Sequence, residues 1–427
     1  MKIYQGSEIN VFLQRFASRR SEVSLDVERS VRDILRNVRQ NGDKALLEYG
    51  AKFDKVDYSN YPLEVPLEEL RRAHAELTPE LLGILRESAH NIRSFHEKDL
   101  PQSHLAWEED GVLLGLRFTP LERVGVYVPG GLAAYPSSLL MGVVPAQVAG
   151  VRDIIVITPC NAEGRMNATL LAAAYELGII TVFRLGGAHG VAAMAFGTES
   201  VPRVDKIVGP GNIYVATAKK LLYGQCGIDM VAGPSEVLII ADQTANPVYV
   251  AADLLAQAEH DPLASAILVT NSSELAEATA NEVLKQTNEL PRADIINQAL
   301  DSFGGIIQVN TMSDCIDLSN RLAPEHLGLH VEHAWDILGK ITHAGAIFLG
   351  HYSPEAVGDY WAGPNHVLPT NGSARFFSPL RTQDFLKASS IISYTKSALE
   401  KHGEKIQTFA KTEGLAAHAS AIAKRIK

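Results

Sequence analysis

Four short stretches of the 427-residue sequence concentrate the residue types that do chemistry. In LLAQAEHDP, Gln257 and His260 stand three apart near the end of a predicted helix, so they project from one face, with Asp253 on that face one to two turns earlier. An amide oxygen beside an imidazole can supply two ligands to a metal, backed by the carboxylate; alone, the pair reads more simply as a solvated helix end. In APEHLGLH, Glu325 and His326 are adjacent at the start of a predicted strand. An acid beside an imidazole can share a water or a substrate proton, although Glu-His is also common by chance. The densest stretch, SPEAVGDYWAGPNHVLPTNGSARF, holds Asp359, Trp361, Asn365 and His366 in what reads as a long loop stiffened by proline and kinked by glycine. Loops of that length and composition are commonly functional. Near the end, EGLAAH places Glu413 and His418 in a bland tail, where either can simply be solvated.

Nucleotide signatures are missing: there is no G-x-x-x-x-G-K-[ST], and no G-x-G-x-x-G follows a predicted strand. Three glycine-containing loops do follow strands, at 127–131, 186–189 and 209–212, carrying Tyr127, His189 and Asn212. Ligands of open α/β sheets sit at such strand ends, where glycine lets backbone approach a phosphate. The same loops also read as plain turns.

The elements that must position these residues follow an alternating pattern. Residues 124–151 carry no charge, but Pro129, Pro136 and Pro145 break the run into a strand, a loop and a helix rather than a membrane span. Strand and helix then alternate through DIIVITP, NATLLAAAYELGI, TVFRLGG, VAAMAFGT, KIVGPGN and IYVATAKKLLYG, and a second series runs from SEVLIIAD to AGAIFLG. The spacing predicts an α/β fold with two doubly wound, parallel-sheet units and a cleft between them. The first 120 residues read as mainly helical, with Val27, Val31, Ile34, Leu35 and Val38 forming a stripe that needs a partner surface. After Leu380 the chain reads as a helical tail, too short for its own core and expected to dock on the body or on a second subunit. The expected division is an arm over 1–25, one α/β domain from 26–120 with 236–375, a second over 121–235, and the tail over 376–427.

A net charge of −10, without a dense Lys/Arg block, leaves no electrostatic footprint for nucleic acid or a membrane surface. Three scattered cysteines indicate neither a disulfide framework nor a thiolate zinc site, and the N-terminus lacks the apolar core of a signal peptide, so a cytoplasmic setting is expected. Any metal chemistry must run through the 14 histidines and the carboxylates.

The strings VGVYVPGGLAAYPSSLLM, VDKIVGPGN, AGPSEVLIIAD, LLAQAEHDP, APEHL, VGDYWAGPNHVLPTNGSARF and EGLAAH occur in the order and spacing of histidinol dehydrogenases, and the sequence resembles that family along nearly its whole length. The resemblance implies incomplete Rossmann-like domains and the last steps of histidine biosynthesis: oxidation of L-histidinol to L-histidine through L-histidinal, with two NAD+. It implies one zinc per subunit on Gln257, His260, Asp359 and His418, His326 as base, and Glu325 as the residue activating water. Ser235, His366 and Glu413 would line the substrate site beside those ligands and His326. Tyr127, His189 and Asn212 would contact NAD+. The subunits would form a domain-swapped homodimer, with His418 and Glu413 reaching the partner's site. One position departs from the family: GGAHG carries His189 where glutamine is usual, and an imidazole cannot donate and accept with an amide's geometry. A divergent member oxidising another amino or hydroxy alcohol, a zinc hydrolase using Glu325 as base, and a non-catalytic two-lobed binder are the alternatives.

Overall fold

The computed structural model describes residues 1–19, 25–58, 60–108, 111–130 and 135–426; Gly131 of the first glycine loop lies outside them. Strands are numbered here in chain order. One parallel sheet has the order β6-β5-β4-β7-β8, from Val182–Arg184, Asp153–Thr158, Arg123–Tyr127, Lys206–Val208 and Gly227–Ile228. The other has the order β1-β11-β10-β9-β12-β13, from Ile3–Tyr4, Gly305–Gln308, Ser265–Thr270, Glu236–Ala241, His326–His330 and Ala346–Leu349. Every strand pair in both is parallel.

These strands are apolar almost throughout because both of their faces are covered. In the first sheet Val124, Val126, Ile154 and Val156 enter one core, and Tyr127, Ile155 and Ile157 the opposite one. In the second, Val237 and Ile239 face one core and Leu238 and Ile240 the other. The two parallel α/β units expected from the alternating pattern are present.

The N-terminal helices depart from the expected grouping of 26–120 with 236–375. The helical segment Leu25–Tyr49 packs on Gly187–Phe196 and Ile213–Leu222, Leu67–Glu76 packs on Ala168–Glu176, and Pro79–Lys98 packs on Pro136–Val148. All of these partners flank the first sheet. The stripe Val31, Ile34, Leu35 and Val38 is buried there, and at about 1.5–3 kcal/mol per buried aliphatic side chain its burial fixes the segment in place. An amphipathic stripe states that a face must be covered, not by which sheet.

Two further differences concern the ends. Residues 3–4 form the edge strand β1 of the second sheet, beside β11. The tail does not turn helical at Leu380: Leu386–Tyr394 is strand β14, antiparallel to Val112–Pro120 (β3), which also pairs His104–Trp107 (β2). The helices Lys396–Thr412 and Ala416–Ala423 follow and pack on each other. The β-favouring residues Ile391, Ile392 and Tyr394 in SSIISY carry the strand signal that a helical reading of the tail overlooks.

Candidate active site

A cavity of about 770 Å³ opens at the carboxyl edge of the first sheet. Its lining brings together Tyr127 at the end of β4, Pro159 and Cys160 beyond β5, Gly187 to His189, and Asn212 beyond β7. The strand order reverses at β4, with β5 on one side and β7 on the other, which is the crevice where open α/β sheets hold ligands. The Tyr127 hydroxyl accepts the Gly187 N–H at 3.1 Å, and burial pushes its pKa up to about 12, so it stays a neutral phenol. Asn212 caps the following helix, accepting from the N–H groups of Tyr214 at 3.0 Å and Val215 at 3.2 Å.

His189 is buried, and its Nε2 lies 3.4 Å from Asp54 Oδ2. Tyr49, Phe53 and Asp54 reach this cavity from the N-terminal helices, and the rings of Tyr49 and Phe53 lie about 6 Å from the His189 ring. Sequence reasoning missed all three, since only the docking of the N-terminal segment on this sheet brings them there.

The second cluster forms at the amino edge of the other sheet. Asn246 caps the helix Pro247–Ala258, as its sequence predicts, by accepting the Val248 N–H at 2.9 Å. The helix ends with Gln257 fully buried, and its amide lies 2.9 Å from His260 Nδ1. Only one amide orientation satisfies both ends. The nitrogen then donates to Glu355 at 3.0 and 3.2 Å, and the oxygen faces His260. Glu355 was not singled out from the sequence. It sits on a short helix, Glu355–Tyr360, inside the stretch read as a loop, and that helix turns Glu355 and Asp359 to one side at i and i+4. Asp253, one turn before Gln257, does not back the Gln257–His260 pair as expected but pairs with His330 Nε2 at 3.2 Å.

His326 opens β12 in register with Val237, the residue that follows Glu236 at the start of the neighbouring strand β9. The His326 Nδ1–H donates to the Glu236 carbonyl at 3.0 Å. That bond fixes the tautomer and leaves the lone pair on Nε2, which is buried with no hydrogen-bond partner among the described residues. Burial lowers the His326 pKa to about 3, so the ring is neutral. Glu325 Oε2 accepts the Glu236 N–H at 2.8 Å, and burial, then the neighbouring Glu236 carboxylate, push its pKa well above the usual carboxylate range. Arg19 supports this corner from the N-terminal arm. It pairs with Glu236 at 2.6 Å and donates to the carbonyls of Leu263, Pro234 and Ser235 at 2.7 Å each.

The stretch 353–375 bridges the two sheets. His366 Nδ1 donates to the Asp359 carbonyl at 3.1 Å, and its Nε2 lies 3.4 Å from the hydroxyl of Ser138, on the helix Pro136–Val148. Burial lowers the His366 pKa to about 4. Asp359 is raised to about 6, chiefly by burial and against the pull of His260, while His260 itself is lowered by burial. Glu355 is raised by burial, then by Asp359 and Glu325.

Ligand atoms of His326, Glu355 and Asp359 lie within 4.8 Å of one another. The nitrogen and oxygen donors gathered here fit a divalent cation of the borderline type. Of the four expected ligands the chain gathers Gln257, His260 and Asp359. His418 and Glu413 are exposed on the C-terminal helices, and neither makes a side-chain hydrogen bond or ion pair to the cluster among the described residues.

A cavity at one sheet's switch point and a buried polar cluster at the other sheet's amino edge describe an α/β protein with two candidate ligand sites. The family model for histidinol dehydrogenase matches residues 17–426, and the chain belongs to that family. It is 53% identical over 399 residues to the histidinol dehydrogenase of Geobacillus kaustophilus, covering 93% of this chain and 94% of that one. The crystal structure of histidinol dehydrogenase from Elizabethkingia anophelis superposes with a TM-score of 0.95 at 37% identity, covering 100% of this chain and 98% of that one. An acetylating aldehyde dehydrogenase from Geobacillus thermoglucosidasius shares the fold alone, at a TM-score of 0.50 and 13% identity over 91% of this chain and 97% of that one. The family carries the activity of an oxidoreductase acting on the small molecule histidinol. No helix among the described residues is long and apolar enough to cross a membrane.

Proposed function

We propose that this chain oxidises L-histidinol to L-histidine through L-histidinal, using two NAD+, with His326 as the base. The observation that carries the reading is the tautomer of His326. With Nδ1–H committed to the Glu236 carbonyl, the neutral ring keeps its lone pair on Nε2, which has no hydrogen-bond partner among the described residues and is available to take a proton. Geometry and protonation state both suit a general base.

In the first step His326 takes the alcohol proton while the carbinol hydride leaves for the nicotinamide, giving the aldehyde. Glu325, beside it, then draws a proton from water as the water oxygen bonds to the aldehyde carbon, while protonated His326 returns its proton to the aldehyde oxygen and becomes neutral again. The resulting hydrate gives up its proton to His326 and its hydride to a second NAD+, leaving the carboxylic acid. Gln257, His260 and Asp359 would hold a zinc ion, with His418 supplied by a second copy in a domain-swapped homodimer. When bound, that ion supplies a template that orients the substrate's amine and imidazole nitrogens. His366, Ser235 and Glu413 would bound the substrate, and Tyr127, His189 and Asn212 the cofactor. Three unpaired cysteines accord with a reducing cytoplasm.

The test is a stoichiometry. Purified protein supplied with limiting L-histidinol should form two NADH per substrate, and a chelator should abolish the rate while added zinc restores it. One NADH per substrate, or none, overturns the reading. Mixing inactive Gln257→Ala and His418→Ala proteins should regenerate activity after subunit exchange, and no recovery would refute the shared site.

A further inference from the structure

Beneath the cavity of the first sheet lies a buried ion pair that this chemistry does not use. Lys219, on the helix Ile213–Leu222, pairs with Asp229 just beyond β8; their side chains are 2% and 0% exposed. Both hold Gly209. Asp229 Oδ2 accepts the Gly209 N–H at 2.8 Å, and Lys219 Nζ donates to the Gly209 carbonyl at 2.8 Å. Asp229 Oδ1 also accepts the Met230 N–H at 2.7 Å. Gly209 has φ +109°, and a Cβ there would meet the Tyr127 carbonyl oxygen at 2.0 Å. Its backbone therefore passes against the end of β4 in a conformation other residues rarely adopt. Three residues on, Asn212 lines the cavity and caps the helix that carries Lys219.

A buried lysine–aspartate pair is often no more stabilising than apolar residues of the same size, so its presence needs a reason other than stability. Neither side chain is among those lining the cavity. What the pair fixes is the one backbone unit, its N–H and its C=O, on which the 209–212 loop turns.

We propose that Lys219 and Asp229 are positioning residues for the dinucleotide: they hold the 209–212 loop, and Asn212 with it, in the shape the cofactor binds. The inference rests on reading this cavity as the NAD+ site. Removing one partner alone leaves an uncompensated buried charge, so the decisive variant is the double Lys219→Met, Asp229→Asn, in which the new amide oxygen can still accept the Gly209 N–H. Asp229→Asn alone is the companion, and circular dichroism selects the folded variant that is read.

Titration calorimetry with NAD+ should show the Kd raised about tenfold or more, as expected for a displaced binding loop. The KM for NAD+ should rise with it, while the KM for histidinol at saturating NAD+ stays at the wild-type value. Wild-type NAD+ affinity in a folded variant, or equal rises in both KM values, overturns the positioning role. Wild-type protein that binds no NAD+ overturns the cofactor reading itself, and the proposal with it, so the two failures are told apart by the wild-type titration.

Discussion

The two parallel sheets repeat one strand order yet offer opposite edges to the chemistry. In the first, β4 lies between β5 and β7; in the second, β9 lies between β10 and β12. The cavity of the first opens where strands end, against the N-termini of the helices Gly187–Phe196 and Ile213–Leu222. The polar cluster of the second gathers where strands begin, around Glu236 and His326, against the C-terminus of the helix Pro247–Ala258. Helix N-termini carry partial positive charge and C-termini partial negative charge. The carboxyl edge of one sheet therefore suits a phosphate, and the amino edge of the other suits a cation. A single architecture used at both edges can serve two ligands of opposite sign.

That contrast can be broken at either end. The largest effect is expected from His326→Asn, which removes the base: kcat should fall roughly 10²–10⁴-fold, while calorimetry finds NAD+ binding unchanged. An unaltered rate would remove His326 from the mechanism. Next, Arg19→Met strips the buried partner from Glu236, a loss of about 3–5 kcal/mol when a buried pair is broken. Denaturant titration should show that loss, with histidinol turnover falling and NAD+ affinity preserved in the folded fraction.

A pH series separates the edges further. Burial raises the Asp359 pKa to about 6, above the ordinary aspartate value of 3.8, so its carboxylate is protonated as pH falls through 6, and a metal ligand at this position would be lost with it. Metal affinity, measured by chelator competition, should then drop about tenfold per pH unit below 6, a slope that NAD+ binding should not share. The smallest effect is expected from His189→Gln: about 1 kcal/mol for one altered hydrogen bond, or roughly fivefold in the KM for NAD+, with histidinol unaffected. A change in the histidinol KM instead would move His189 out of the cofactor site.

Much of this arrangement is legible in the sequence, for physical reasons that differ by residue. Buried parallel strands are continuous apolar runs, so DIIVIT and EVLIIA declare themselves. Asn246 and Pro247 mark the start of the helix that carries Gln257. Glu355 escapes because Gly358 and the flanking prolines disguise a helix of six residues, and its alignment with Asp359 exists only once that helix forms. Arg19 escapes for a different reason: its partner Glu236 lies 217 positions away, and no local pattern encodes such a contact. Asp54 beside His189 is of the same kind.

The N-terminal arm has a consequence in time. Strand β1 needs β11 at Gly305–Gln308, and Arg19 needs Glu236, so a growing chain exposes the arm long before the surfaces that receive it exist. The first sheet and the helices that cover it lie almost wholly within residues 25–228 and can close beforehand. Contacts of long sequence separation form late. The ribosome thus delivers the first-sheet half before β9 and β11 can fold back onto the residues made earliest, and the corner around Glu236 and His326 matures afterwards.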